Sequence, residues 1–93
     1  MIRSFATRDT ERVFHRERCR AFSRELQRQA HRKLLVLDAA VSLQDLRVPP
    51  GNRLEALAAD RRSQHSIRVN DQFRICFRWN AGDAYDVELV DYH

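Results

Sequence analysis

The sequence contains few cysteines, which can cross-link a chain, and few glycines and prolines, which change its backbone freedom. Among 93 residues there are 2 cysteines, 2 glycines and 2 prolines. Two cysteines, Cys19 and Cys76, are too few for a disulfide framework and form no metal-ligand pair, so we expect a reducing cytoplasm. No apolar run approaches the ~20 residues of a membrane span, and we expect no membrane contact. Residues 1–5 contain no apolar h-region, so no signal peptide is expected either.

The composition is that of a small folded domain. Hydrophobic residues make up 43% of the chain, which does not fit the composition of disordered proteins. Folded domains typically contain about 100–150 residues, so residues 1–93 are expected to form a single domain.

Lysine is almost absent, and arginine takes its place. The formal net charge is +4, and sixteen of the seventeen basic residues are arginine, with Lys33 the exception. Residues 1–33 carry a net charge of +6, and residues 34–93 carry −2. Arginine binds phosphate and carboxylate groups with two parallel hydrogen bonds, which favours a polyanionic or acidic partner.

Arginine also recurs at every fourth position from Arg8 to Arg32. On one helix such a row winds around the axis by about 40° per step. The row is therefore interpreted either as a solvated face or as a docking surface for RNA or an acidic partner segment.

The first half of the chain has the composition of helices. A short alternation around Ile2 and Phe5 predicts a first strand, and Thr7 or Asp9 can cap the helix that follows. No glycine or proline occurs from there to position 41, although a break is expected at residues 20–23.

Ser23 is a good N-cap for a second helix, and this helix carries one apolar stripe that should pack on a sheet. The stripe consists of Leu26, Ala30, Leu34, Leu37 and Val41. Residues 42–46 are expected to add a helical turn, and the prolines and glycine of residues 48–52 predict a loop.

Beyond this loop the hydrophobic pattern alternates with a period of two, which is typical of strands. The predicted strands are residues 53–57, 64–70, 73–79 and 84–90. Asn70-Asp71 and residues 80–83 are expected to turn the chain between them. The sequence thus predicts an α+β fold with N-terminal helices packed on one face of a small antiparallel sheet.

Alternation also predicts which side chains share a face of that sheet. Ile67, Val69 and the apolar residues at 73, 75, 77 and 79 should face the helices. Arg68, Arg74 and Arg78 should lie on the opposite, open face, where arginine suits single-stranded nucleic acid.

The C-terminal residues are the other candidates for chemistry. RNA scission needs one group to take the 2′-OH proton and another to protonate the leaving 5′-oxygen. The ordinary pKa of histidine suits such transfers near neutral pH, which makes His93, with Tyr92 beside it, a candidate. Arg74 could supply the cation that stabilises the developing phosphate charge.

Other reactive side chains show no organised pattern. His15, His31 and His65 lack metal-ligand spacing, and His31, on an arginine-rich helix, is expected to be solvated. Cys76 is expected to pack within a strand. There is no Gly-rich phosphate loop and no nucleophile–base set, so we expect neither a metal nor another cofactor.

The chain resembles a known toxin family, most clearly in its second half. The runs that carry the resemblance are residues 52–57, 60–61, 66–79 and 82–93, with a similar start at 1–5 and a similar joint at 46–51. They are similar to the HigB toxins of the RelE/ParE superfamily, which belong to type II toxin–antitoxin modules. Asp-Tyr-His at 91–93 is the most specific short signature. The resemblance covers nearly the whole chain and implies a RelE/ParE-like fold.

The resemblance also implies a function. HigB toxins are mRNA interferases, which enter the ribosomal A site and cleave mRNA without a metal ion, and so inhibit translation. It implies a bacterial cytoplasmic protein that is neutralised by a HigA-type antitoxin with a helix-turn-helix domain. Operator DNA would then be bound only through the toxin–antitoxin complex.

Roles carried over by position follow from the resemblance. Arg74 would stabilise phosphate charge, and Tyr92 and His93 would serve in proton transfer and base orientation. Asp91 would support that pair. Glu55, where some members have histidine, is a candidate acid–base group.

Binding of RNA or the ribosome is expected of four further residues. These are Arg61, Arg68, Arg78 and His65. Many members have Lys-Gly where this chain has Ala58-Ala59, so binding would depend more on Arg61 and Arg68. Members often carry an aromatic residue at position 65, where His65 could retain base stacking.

Two other functions stay open from the sequence. One is a growth inhibitor of the same superfamily that poisons DNA gyrase instead of cleaving RNA, an alternative that Ala58 keeps open. The other is an RNA- or ribosome-binding module that has lost nuclease activity.

Overall fold

The computed structural model describes residues 1–61 and 63–92, so His93 lies outside the described residues. Two α-helices precede four strands in this part of the chain. They are α1 (Arg8–Phe14), α2 (Arg24–Ala39), β1 (Glu55–Ala56), β2 (Gln64–Arg68), β3 (Phe73–Asn80) and β4 (Asp83–Asp91). Short 3₁₀ turns at Leu43–Arg47, Pro50–Asn52 and Ala59–Arg61 lie between α2 and β2. The predicted α+β class, with helices followed by an antiparallel sheet, is confirmed.

Both helices begin at the predicted capping residues. The Thr7 hydroxyl accepts a hydrogen bond from the Thr10 backbone N–H at 3.2 Å, and the Ser23 hydroxyl accepts one from Leu26 N–H at 3.1 Å. Each bond satisfies one of the N–H groups that have no partner within a helix, which fixes where the helix starts.

The apolar stripe of α2 packs as predicted except at its end. Leu26, Ala30, Leu34 and Leu37 are buried, but the helix ends at Ala39. The backbone of Ala40 is extended, so that side chain turns into the core while Val41 is 77% exposed. The prediction that Val41 belongs to the stripe was wrong, because the helical period no longer applies there.

The break between the helices is longer than predicted. Helix α1 ends at Phe14, and Arg16 adopts a left-handed conformation with φ of 59°. The connection is tied to α2 by Gln27, whose side-chain amide donates to the carbonyls of Cys19 and Phe22 at 2.8 and 2.7 Å. The arginine row therefore runs over two helices and a loop instead of one continuous surface.

The four strands form an antiparallel sheet in the order β1-β2-β3-β4. Ile67 pairs with Ile75, which pairs with Leu89, so three buried apolar residues lie side by side on the face that packs against the helices. An irregularity between Cys76 and Arg78 shifts the register on β4 by one residue. Because of this bulge, Ala84 and Val87 both point into the core.

The N-terminal segment does not form the regular strand that was predicted. It makes two isolated parallel bridges to β4, Ile2 with Ala84 and Phe5 with Val87. Asp86, between these bridges, has a positive φ of 53°, and its N–H donates to the Ser4 hydroxyl at 2.9 Å. The bulge thus interrupts the parallel ladder, and the segment lies along β4 without continuous pairing.

The strand predicted at 53–57 is also shorter, since only Glu55 and Ala56 pair regularly. Arg53, directly before it, has a positive φ of 46°. Left-handed backbone cannot continue a strand, so the ladder begins beyond it. Within the described residues, no helix is long and apolar enough to cross a membrane.

Candidate active site

The sheet face opposite the helices carries polar residues from all four strands. We call it the arginine face; it comprises Glu55, Gln64, Ser66, Arg68, Arg74, Cys76, Arg78 and Glu88. The pairings Glu55–Ser66, Ser66–Cys76 and Cys76–Glu88 set these side chains in rows across the sheet. Alternation places Ile67 and Ile75 on the other face, as predicted.

Arg74 lies at the centre of this face but is not open to solvent. Only 9% of it is exposed, and Ser66 and Cys76 beside it are fully buried. The Arg74 Nε donates to the Ser66 hydroxyl at 2.7 Å, and one Nη donates to the Arg53 carbonyl at 2.5 Å. The expectation of a fully open face was therefore wrong at its centre, because the segment before β1 folds over it.

Two of the three guanidinium nitrogens of Arg74 are held by hydrogen bonds, and the third has a longer contact with a carboxylate. Nε and one Nη are held by Ser66 and Arg53, and the other Nη lies 3.6 Å from the Glu55 carboxylate. Glu55 is about half exposed. A guanidinium fixed on two sides is preorganised to bind an anion with its remaining donors.

Tyr92 completes the surroundings of Arg74. The Arg74 guanidinium carbon lies 5.9 Å from the centroid of the Tyr92 ring, within the range of a cation–π contact. Tyr92 N–H donates to the Gln72 carbonyl at 2.8 Å, which attaches the end of the described chain to the β2–β3 turn. The ring is 46% exposed and therefore presents a free aromatic surface.

These groups border a polar cleft of about 260 Å³, which we call the Arg74 cleft. Its lining residues are Arg53, Arg68, Asn70, Asp71, Gln72, Arg74 and Tyr92. The Arg68 guanidinium pairs with Asp71 in the adjoining turn. Three arginines and one tyrosine around one concave surface suit an anionic, aromatic ligand such as a nucleotide.

The single lysine also lies near this cleft. Lys33 on α2 donates to the side chain of the buried Asn52. Burial, followed by the positive charges of Arg68 and Arg32, lowers the pKa of Lys33. Lys33 is thus close enough to Arg68 for their positive charges to repel each other.

Arg61 is placed at another part of the arginine face. It forms an ion pair with Glu88 at 3.3 Å and donates to the Gln64 side chain at 3.1 Å. Cys76 is fully buried nearby, and this burial raises the pKa of its thiol. Cys76 is thus a packing residue, as predicted.

Two predicted RNA-binding residues lie away from the Arg74 cleft. Arg78 is four residues further along β3, about 13 Å away, and it pairs with Asp86 at 3.1 Å. The His65 ring lies on the helix-facing side of the sheet, stacked on Phe77 at 6.2 Å. Strand alternation gives Ser66 the position on the arginine face and turns His65 away from it.

Asp91 also faces away from Arg74. It pairs with Phe73 in the ladder, and its carboxylate accepts a hydrogen bond from the Gln72 side chain at 2.9 Å. Gln72 therefore contacts both Asp91 and Tyr92, and it links the two residues through the β2–β3 turn.

Sequence reasoning missed the residues that hold Arg74. Ser66 and Arg53 act through a hydroxyl and a backbone carbonyl, and neither has a sequence signal of its own. The register of β1, β2 and β3 could have placed Ser66 beside Arg74, but the fold of the segment before β1 was needed to place Arg53. In residues 1–61 and 63–92, no three His, Cys, Asp or Glu side chains are grouped to hold a metal ion.

Comparison with known proteins shows the family to which this chain belongs. Residues 3–93 match the model of the family described as the RelE-like toxin of the type II toxin–antitoxin system HigB. The chain belongs to the HigB-like toxin family. It is 42% identical over 73 residues to Toxin HigB-1 of Vibrio cholerae, covering 78% of this chain and 77% of that protein. It is 36% identical over 58 residues to an uncharacterized protein of Haemophilus influenzae, covering 62% of this chain and 57% of that one.

Membership in this family indicates the role of the protein and the kind of partner that it has. A HigB-like protein is the toxin of a type II toxin–antitoxin system, and it has a protein antitoxin as partner. The resemblance inferred from residues 52–93 is confirmed.

Proposed function

We propose that this HigB-like toxin is an endoribonuclease that cleaves mRNA in the ribosomal A site and so inhibits translation. The observation that supports this most is the Arg74 guanidinium, fixed by Ser66 and Arg53 in a concave site beside the exposed Tyr92 ring. A phosphate in the Arg74 cleft meets preorganised donors, and a neighbouring base meets an aromatic surface.

The proposed reaction needs no metal ion. The Glu55 carboxylate, 3.6 Å from an Arg74 Nη, takes the proton of the 2′-OH. The 2′-oxygen attacks the adjacent phosphorus and the bond to the 5′-oxygen breaks, which gives a 2′,3′-cyclic phosphate and a 5′-OH. Arg74 stabilises the charge that grows on the phosphate.

The last three residues serve the same step. His93, the neighbour of Tyr92 in sequence, gives a proton to the leaving 5′-oxygen. The Tyr92 ring orients the base, and Asp91 supports the segment through its bond to Gln72. Arg68 binds the flanking phosphate, and Arg61 binds RNA further along the arginine face.

The proposed setting is the bacterial cytoplasm. The antitoxin is of the HigA type, with a helix-turn-helix domain, and the complex of the two proteins represses their operon. Operator DNA is contacted through the antitoxin.

The proposal is tested by primer extension on an mRNA translated in a purified system, with and without ribosomes. Wild type should cut only the ribosome-bound mRNA. Arg74→Gln should lower the cleavage rate by about 10²–10³, the usual cost of one transition-state donor. Arg47→Gln is the matched control, because Arg47 is exposed and lies outside the Arg74 cleft.

Two results would contradict the proposal. The proposed nuclease activity is excluded if the wild-type protein arrests growth without cutting mRNA. DNA damage in the arrested cells would then point to a gyrase poison. The assigned site is excluded if Arg74→Gln, His93→Ala and Arg47→Gln all cleave as fast as wild type.

A further inference from the structure

A second concave surface lies on the helical side of the molecule. It is a cleft of about 380 Å³ between α2 and the connection that follows α1, and we call it the basic cleft. Its charged and polar lining comprises Arg16, Arg24, Gln27, Arg28, His31 and Arg32. It shares no lining residue with the Arg74 cleft.

The loop side of the basic cleft is held by a chain of hydrogen bonds. Arg16 Nε donates to His31 Nε2 at 2.9 Å. Since Nε2 accepts, the imidazole proton is on Nδ1, which donates to the Val13 carbonyl at 3.2 Å. Arg16 is thus held at the rim, and no hydrogen bond among the described residues uses its terminal Nη groups. His31 was expected to be solvated, and instead it supports this rim.

The helix side presents three arginines one turn apart. Arg24, Arg28 and Arg32 follow one another at about 6 Å along α2. Arg28 pairs with Glu25 at 2.6 Å. Within residues 1–61 and 63–92, Arg24 and Arg32 have no carboxylate partner, so with Arg16 they leave three guanidinium groups around one cleft. Such a surface attracts anionic groups, which arginine binds through two parallel bonds.

The chemistry next to the basic cleft favours an acidic peptide over RNA. Leu35 is 47% exposed and lies three and four residues after Arg32 and His31, on the same side of α2. An aliphatic side chain offers a packing surface to another apolar side chain, whereas unstacked bases bind to aromatic rings and guanidinium planes. The arginines and Leu35 together therefore match a peptide that carries both carboxylates and an apolar side chain.

We propose that the basic cleft docks an acidic segment of the antitoxin. Two carboxylates about 12 Å apart, two helical turns, bind Arg24 and Arg32, a third carboxylate binds Arg16, and an apolar residue of the segment packs on Leu35. Because the two clefts share no residue, this segment holds the toxin without covering Arg74. The inference does not depend on the proposed nuclease activity.

A peptide titration tests this inference on the full chain. The probe is a helical peptide of about twelve residues, the length that spans Arg24 to Leu35, with Glu at every fourth position and one Leu after the last Glu. A peptide with Gln for Glu and a single-stranded RNA of similar length are the comparisons. Binding is followed by NMR through the backbone amides of α2 and the arginine Nε–H signals.

Matched double variants separate the cleft from general charge. Arg24→Gln with Arg32→Gln should weaken binding of the Glu peptide by at least about tenfold. Arg8→Gln with Arg47→Gln removes the same charge from exposed positions outside the cleft and should change binding less than about threefold. Leu35→Ser should weaken binding of the Glu peptide and leave binding of the RNA unchanged.

The inference is overturned if the Glu peptide does not bind, or if the Gln peptide binds equally well. It is also overturned if both double variants weaken binding alike. Tighter binding of the RNA than of the peptide, lost in the Arg24/Arg32 variant, would assign the basic cleft to nucleic acid instead.

Discussion

The contact between Ser66 and Arg74 allows a quantitative prediction that is independent of catalysis. Ser66 is fully buried, and its hydroxyl accepts the Arg74 Nε–H at 2.7 Å. Ser66→Ala removes the acceptor and leaves a charged donor inside the protein, where no other partner of Nε is available among the described residues.

The size of the effect follows from that burial. A buried donor left without a partner costs about 1–3 kcal/mol, and charged donors are at the upper end. We expect the free energy of unfolding to fall by about 2–3 kcal/mol. In a domain of this size 1 kcal/mol corresponds to roughly 4–8 °C, so the melting temperature should fall by at least roughly 8 °C.

Urea unfolding followed by the fluorescence of the single tryptophan, Trp79, measures this loss. Trp79 is half buried against Phe77, so unfolding changes its surroundings. A double-mutant cycle with Arg74→Met isolates the pair and should give a coupling energy above about 1 kcal/mol. The same cycle with the exposed Arg47→Met should be additive within about 0.5 kcal/mol.

The reasoning is refuted if Ser66→Ala costs less than about 0.5 kcal/mol, because the bond would then contribute nothing beyond what water supplies. It is also refuted if the cycle with Arg74→Met shows no coupling.

Three further predictions concern other parts of the fold. Asn52→Ala should lower the free energy of unfolding by about 2–3 kcal/mol in urea, since the buried amide donates to two carbonyls of the preceding turn and accepts from Lys33; an unchanged midpoint would refute this. The N–H groups of Val41 and Ser42 lower the pKa of Asp45 below 3.8, so its stabilisation is complete above that pH and is lost as the pH falls through the lowered value. The stability difference between wild type and Asp45→Asn should therefore shrink in acid, and a constant difference would contradict it. Burial raises the pKa of Cys76, so in a Cys19→Ala variant its alkylation at pH 8 should be many times slower in the folded chain than in urea; equal rates would show that the thiol is accessible.

Much of the fold could be predicted because local signals and burial agree. The period-two patterns around Ile67, Ile75 and Leu89 predicted strands, and these residues do meet in register. Thr7 and Ser23 were likewise predicted as N-caps, and their hydroxyls do accept hydrogen bonds from backbone N–H groups of the same helical turn. Signals of this kind act over a few residues and therefore appear directly in the sequence.

The errors occurred where tertiary contacts decide the local structure. Asp86 and Arg53 adopt positive φ values although neither is glycine, and each ends regular pairing that alternation alone predicts to continue. The burial of Arg74 has the same origin, because the segment that covers it precedes β1 and is brought there by the fold. For the site, the sequence and the resemblance named five catalytic candidates. Of these, Glu55 and Tyr92 lie beside Arg74, whereas Asp91 faces away from it.

The position of β4 has a consequence for the time at which the protein gains its structure during synthesis. Residues near the start of the chain depend on this late strand: Phe5 bridges to Val87, and the buried Thr10 hydroxyl accepts the Leu89 N–H at 3.0 Å. Contacts across about eighty residues cannot form before β4 has been translated and has left the exit tunnel. The N-terminal segment and the start of α1 therefore lack these contacts in the nascent chain until β4 has been synthesised and has emerged from the ribosome.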